Sequence, residues 1–227
     1  MSPVPVPDFD AGIAARLVSV RDRIERAGGD PGSVTVLAVT KGFGPDAVLA
    51  ACDVGLFEVG ENYAGELEAK AAALDESGPP ALRWHFLGQP QGNKIRALAS
   101  RVDCWQSVSR EVDGERIARA RPGATVLVQV AFSTDAGRPG AEPDAVRSLV
   151  GSLAGLGLDV AGLMAVAPRP IDEARAAFRA VRTLADDIGL AVRSMGMTED
   201  LELAVAEGST MIRVGRALFG DRPTQPA

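Results

Sequence analysis

Eight short apolar runs, at 34–40, 56–60, 83–88, 103–108, 124–131, 158–166, 191–195 and 210–214, recur along the chain, each separated from the next by a segment with helical spacing. Short runs rich in β-branched residues and bounded by polar segments read as strands, and the segments between them as helices. The helical patterns cover 45–54, 61–74, 91–99, 110–120, 142–156, 171–188 and 198–206. An additional helix stands in front, with Phe9, Ile13, Leu17, Val20 and Ile24 at helical spacing and Gly28-Gly29 as its stop. Strands that are nearly continuous in apolar residues, such as TVLVQVAF from Thr125 to Phe132, suit a parallel sheet covered on both faces. Strand-helix repetition builds right-handed βαβ units, and eight of them close into a barrel. The expected fold is therefore α/β: a single TIM (β/α)8 barrel with an extra N-terminal helix, one domain over 1–227, with 1–7 and 221–227 as flexible ends. A doubly wound open sheet is the alternative. Against it, no G-x-G-x-x-G follows the first strand.

Charge and composition narrow the partners. Twenty-four basic and thirty acidic residues leave a net charge of -6, which disfavours a nucleic-acid partner needing a basic face. The opening MSPVPVPDFD has neither the basic nor the apolar region of a signal peptide, and no apolar run approaches the roughly 20 residues of a membrane span. A cytoplasmic protein without a membrane partner is expected. Cys52 and Cys104 make neither a disulfide framework nor a spaced metal motif, so reduced thiols are expected. With His85 the only histidine, a multi-histidine metal site is excluded.

In a barrel the chemistry sits where strands end and helices begin. Lys41 follows directly on the run VTVLAVT. An ammonium there must be paired, deprotonated or covalently engaged, and the engagement that suits a lysine is an imine with an aldehyde cofactor. The competing reading is a lysine that has left the strand and snorkels to water. The last two junctions suggest a phosphate cup: Ser194 and Thr198 flank a glycine-containing turn before a helix, and Gly215 admits close approach beside the charge of Arg216. Ordinary helix capping by Thr198 competes with it. Arg213, within the strand MIRVG, is expected to point into the barrel. Because a buried arginine keeps its proton, it needs a carboxylate, a phosphate or a heteroaromatic nitrogen, and a structural ion pair stands beside a cofactor contact.

Five stretches occur together and in order: AVTK ending at Lys41, VGENYAGE from Val59 to Glu66, WHFLGQPQGNK from Trp84 to Lys94, GLMAVAP from Gly162 to Pro168, and RSMGMTEDLELAVAEGSTMIRVGRALFG from Arg193 to Gly220. Over nearly its whole length the chain resembles the pyridoxal phosphate homeostasis protein family, whose fold is like the N-terminal barrel of alanine racemase. The resemblance implies pyridoxal 5'-phosphate (PLP) held as an imine to Lys41, phosphate contacts from Ser194, Gly215 and Thr198, and Arg213 at the pyridine nitrogen. It also places Asn62 and His85 in the pocket wall. The implied role is PLP homeostasis without substantial turnover, with PLP-dependent apo-enzymes as candidate recipients and a monomer as the expected state.

A racemase of the alanine racemase type is the alternative. Two-base racemisation needs a second base, a tyrosine from an additional domain in alanine racemase. Here Tyr63 is the only tyrosine and the sequence ends seven residues after Gly220, so the carrier is expected, with residual racemase-type activity left open. A phosphate-binding barrel enzyme without PLP is a third reading. Adduct formation is expected at Lys41, with Lys94 and Lys70 solvated.

Overall fold

In the computed structural model, residues 10–75, 79, 81–132 and 139–222 are described. Helix α1 (Asp10–Arg26) leads into β1 (Thr35–Val39), and strands then alternate with helices. They run α2 (Pro45–Asp53), β2 (Glu58–Glu61), α3 (Ala64–Leu74), β3 (Arg83–Phe86), α4 (Gly92–Leu98), β4 (Cys104–Val108), α5 (Glu111–Ala120) and β5 (Thr125–Val130). The second half continues with α6 (Pro143–Gly155), β6 (Asp159–Ala165), α7 (Ile171–Ile188), β7 (Val192–Ser194), α8 (Leu201–Ala206), β8 (Met211–Val214) and α9 (Arg216–Phe219). The strands form a closed barrel in the order β1 to β8, every pairing parallel, and β1 closes on β8 with Thr35 opposite Met211 and Leu37 opposite Arg213. The expected barrel with its extra helix is the fold.

The two-residue period of the strands sorts their side chains into two environments. On β1, Val36 and Ala38 join α1, α2 and α8 in an outer core with Ile13, Leu17 and Leu201, while Leu37 and Val39 cluster inside the barrel with Met211. On β8, Ile212 and Val214 belong to the same outer core. Met211 and Arg213 therefore face the interior. A larger outer core, with Trp105, Ile117, Leu153 and Phe178 fully buried, lies between the sheet and α3 to α7. Burial on both faces explains why the strands read as continuous apolar runs.

Two helices start three residues later than the sequence expectation and one helix is additional, each for a local reason. The helix expected from 61 starts at Ala64, because Glu61 still belongs to β2 and its carbonyl accepts from Leu87 N at 2.8 Å. The helix expected from 198 starts at Leu201, because the Asp200 carboxylate accepts from Met197 N at 2.6 Å and holds a turn there. Thr198 is thus not the cap of that helix. The short α9 after Gly215 was not expected; its four residues are too few to leave a periodic signal. Residues 1–7, and 223–227 of the expected flexible tail, lie outside the described residues, as does Phe9.

Candidate functional site

At the carboxyl ends of the strands a cavity of about 690 Å³ opens into the barrel. Lys41, Asn62, Thr198, Arg213 and Gly215 line it together, brought from the ends of β1, β2, β7 and β8. Leu87, Met164 and Val166 supply apolar wall, Arg222 adds positive charge, and Arg216 lines the cavity in an ion pair with Glu199 at 2.6 Å. Two of the seven expected residues, His85 and Ser194, do not line the cavity. They lie beneath it, with 3% and 0% of their surface exposed.

Lys41 sits on a clamped piece of backbone. Thr40 N donates to Gly60 O at 3.0 Å, Lys70 Nζ donates to Thr40 O at 2.8 Å, and Gly42 N donates to Glu66 Oε2 at 2.8 Å. The Lys41 amine itself makes no ion pair among the described residues. Burial pulls its pKa below the usual lysine value, and the charges of Arg222 and Arg213 pull the same way, against Glu61 and Glu66. A half-buried amine with a lowered proton affinity is a better nucleophile near neutral pH than a surface lysine.

Lys70 corrects an expectation. Instead of being solvated, it is 4% exposed and paired with the fully buried Glu61 carboxylate at 2.5 Å, with Glu66 at 3.1 Å. Glu61 in turn accepts from Asn62 N at 2.8 Å and from the Thr40 hydroxyl at 3.3 Å. This buried pair therefore braces both neighbours of the cavity, Lys41 on one strand and Asn62 on the next.

Arg213 donates Nη1 to Ser194 O at 2.6 Å and to Ser194 Oγ at 2.8 Å, and Nη2 to Ala165 O at 2.8 Å. All three acceptors are neutral oxygens; among the described residues no carboxylate pairs with it. Burial draws its pKa down to about 10, with distant Asp200 acting the other way, so it remains charged at neutral pH. A guanidinium carries five donors. The three contacts leave two without a protein acceptor among the described residues, on a side chain that lines the cavity.

The expected phosphate cup is changed in one member. Thr198 Oγ1 accepts from Ala217 N at a long 3.4 Å and lies on the cavity wall with Gly215, where a Cβ would come within 3.0 Å of Val39 O. Ser194 cannot join them, because its hydroxyl lies between Arg213 and Gln106, donating to Gln106 Oε1 at 2.7 Å. The sequence placed Ser194 at a strand end correctly but could not tell whether its side chain faced the mouth or the barrel axis. His85 departs from the expected pocket wall in the same way: its Nε2 meets Glu58 and its Nδ1 meets Gln106 Nε2 at 2.7 Å. Sequence reasoning missed Gln106 and Arg222, and it assigned Lys70 to solvent. A glutamine inside the buried run CWQSV was a usable signal, since a buried amide needs partners.

The family model for the alanine racemase N-terminal domain matches residues 16–223. The chain belongs to this family. It is 39% identical over 222 residues to the pyridoxal phosphate homeostasis protein of Pseudomonas aeruginosa, covering 93% of this chain and 94% of that one. To the pyridoxal phosphate homeostasis protein of Escherichia coli it is 37% identical over 229 residues, covering 92% and 97%. Among solved structures, PipY of Synechococcus elongatus with PLP bound superposes with a TM-score of 0.81 at 35% identity, covering 92% of this chain and all, 100%, of that one. Alanine racemase from Corynebacterium glutamicum shares the fold, with a TM-score of 0.73 at 16% identity over 96% of this chain and 63% of the racemase. Membership of the pyridoxal phosphate homeostasis proteins follows from the first two relatives. Among the described residues no helix is long and apolar enough to cross a membrane.

Proposed function

We propose that this chain binds PLP covalently through the Lys41 amine and holds it for PLP homeostasis in the cytoplasm, without turnover of its own. The observation that carries the reading is Arg213: a buried cation on the cavity wall, held by neutral oxygens and with donors to spare. Those donors fit the neutral nitrogen acceptor of a pyridine ring. The Lys41 amine, with its lowered proton affinity, fits an aldehyde. Thr198 and the backbone at Gly215, beside Arg222, fit a phosphate. Asn62 closes the wall between them.

When bound, PLP supplies an electrophilic aldehyde and an electron-withdrawing ring. The chain's own residues would do the rest: Lys41 would provide the amine, Arg213 would offer a donor to the ring nitrogen, and Leu87, Met164 and Val166 would supply apolar wall. PLP-bound PipY and the names of the curated relatives support the same ligand. The absence of turnover is supported by Tyr63, the chain's one tyrosine, which is 55% exposed and does not line the cavity. PLP-dependent apo-enzymes are the recipients proposed, and a monomer is the working state.

Titration of the purified chain with PLP and with pyridoxal, followed by absorbance, tests this reading. PLP is expected to bind with a new absorption band, and pyridoxal much more weakly because it lacks the phosphate. Equal binding of the two would remove the phosphate assignment, and a PLP-loaded chain that racemises amino acids at roughly 1 to 1,000 per second would make it an enzyme.

A further inference from the structure

Five side chains from five strands form one hydrogen-bonded line across the barrel interior. It runs from Glu58 on β2 through His85 on β3, Gln106 on β4 and Ser194 on β7 to Arg213 on β8. Its three middle members are 3%, 0% and 0% exposed, so water does not satisfy them.

The donors in this line all point one way. A guanidinium can only donate, so the Ser194 oxygen accepts from Arg213 and its own proton must go to Gln106 Oε1, 2.7 Å away. That fixes the Gln106 amide, whose Nε2 then donates to His85 Nδ1 at 2.7 Å. His85 Nδ1 is consequently the lone-pair nitrogen, and Nε2–H points at the Glu58 carboxylate. Turning the Gln106 amide over would bring its NH2 against the Ser194 oxygen, leave the Ser194 proton without this acceptor, and require a proton on His85 Nδ1. Each group thus holds its neighbour in one orientation, and a fully satisfied buried network of this kind is stiff.

We infer that Gln106 is a positioning residue for the cofactor site: through Ser194 it locks the Arg213 guanidinium in the one placement that leaves its spare donors on the cavity wall. The inference rests on the proposed PLP reading. Gln106 is linked to Arg213 through Ser194 rather than by a direct hydrogen bond; besides Ser194 and His85 its hydrogen-bond partner is Met211 Sδ at 3.2 Å. Its side chain spans the interior from β4 to β7, which no apolar residue of similar size would do with the same bonds. His85 and Glu58 serve the same line from its far end.

A double-mutant cycle separates positioning from general support. Gln106→Leu keeps the approximate volume and removes both amide bonds. In the wild-type background it is expected to weaken PLP binding roughly three- to tenfold, the size of one net hydrogen bond, and to shift the absorption maximum of the bound cofactor. In an Arg213→Met background the same substitution is expected to change neither affinity nor spectrum, because the residue it positions is gone. Equal losses in both backgrounds, or no change in the wild-type background, overturn the inference. Should Gln106→Leu fail to fold, Ser194→Ala, the next member of the line, carries the same cycle with the same outcomes. A wild-type chain that binds no PLP overturns the proposed function and this inference together, whereas a PLP-binding wild type with an additive cycle overturns this inference alone.

Discussion

The ammonium of Lys70 donates to the carbonyl of Thr40 at 2.8 Å, so a lysine of α3 holds the backbone immediately before Lys41. The same ammonium meets Glu61 at 2.5 Å, and both groups are buried. Buried pairs are expensive to break from one side, because the remaining charge is left in a poor solvent.

Lys70→Met is therefore expected to destabilise the apo protein by about 3–5 kcal/mol, since it strands the Glu61 carboxylate. Lys70→Met combined with Glu61→Leu should recover most of that loss. Urea unfolding of the two variants checks this. A single variant as stable as the wild type would show that the pair does not hold this part of the fold.

Proton affinity at Lys41 gives a signed pH prediction. Its folded-state pKa lies below the usual lysine value of 10.5. Between the two values the unfolded chain binds the extra proton, so the stability of the wild type rises with pH across that window. Below both values both states are protonated and the folded state carries the full desolvation cost. Lys41→Met is accordingly expected to be more stable than the wild type below that window, with the difference narrowing as pH climbs through it towards 10.5. A difference that stays constant over that range would mean that Lys41 titrates as an ordinary solvated lysine.

Gly88, after β3, leaves no room for a side chain, because a Cβ would stand 2.2 Å from Asn62 O. Gly88→Ala should push the Asn62 backbone away from the cavity, lowering stability by about 1–3 kcal/mol as overpacking does, and weakening PLP binding. Gly65→Ala on α3, with nothing within 4 Å of its Cβ, serves as the control. Thermal unfolding and PLP titration of both variants measure the contrast. A neutral Gly88→Ala would show that this loop is free to shift.

The barrel was legible because both of its periodicities are strong. Strands buried on two faces leave continuous apolar runs, and α7 shows the helical repeat so clearly that its expected limits, 171–188, coincide with Ile171–Ile188. Strand ends were legible as well, which is why Lys41, Asn62, Thr198, Arg213 and Gly215 could be named as candidates that the fold then gathers around one cavity. Side-chain direction near the end of a strand was less legible. Ser194 and His85 were expected at the mouth, yet they face the axis, since the phase of a three- or four-residue strand depends on its register with its neighbours. Lys70 looked like one charge among several on a helix. Only tertiary packing brings it against Glu61, nine residues earlier in the chain.

Reduction with borohydride after incubation with PLP, followed by peptide mapping, tests the central claim most directly. The pyridoxyl group is expected on Lys41, with Lys41→Ala leaving no reducible adduct in the cavity. Lys70 is held in its ion pair, and Lys94 does not line the cavity. A pyridoxyl group on Lys94 or Lys70, or an unmodified Lys41 in a chain saturated with PLP, would contradict the account.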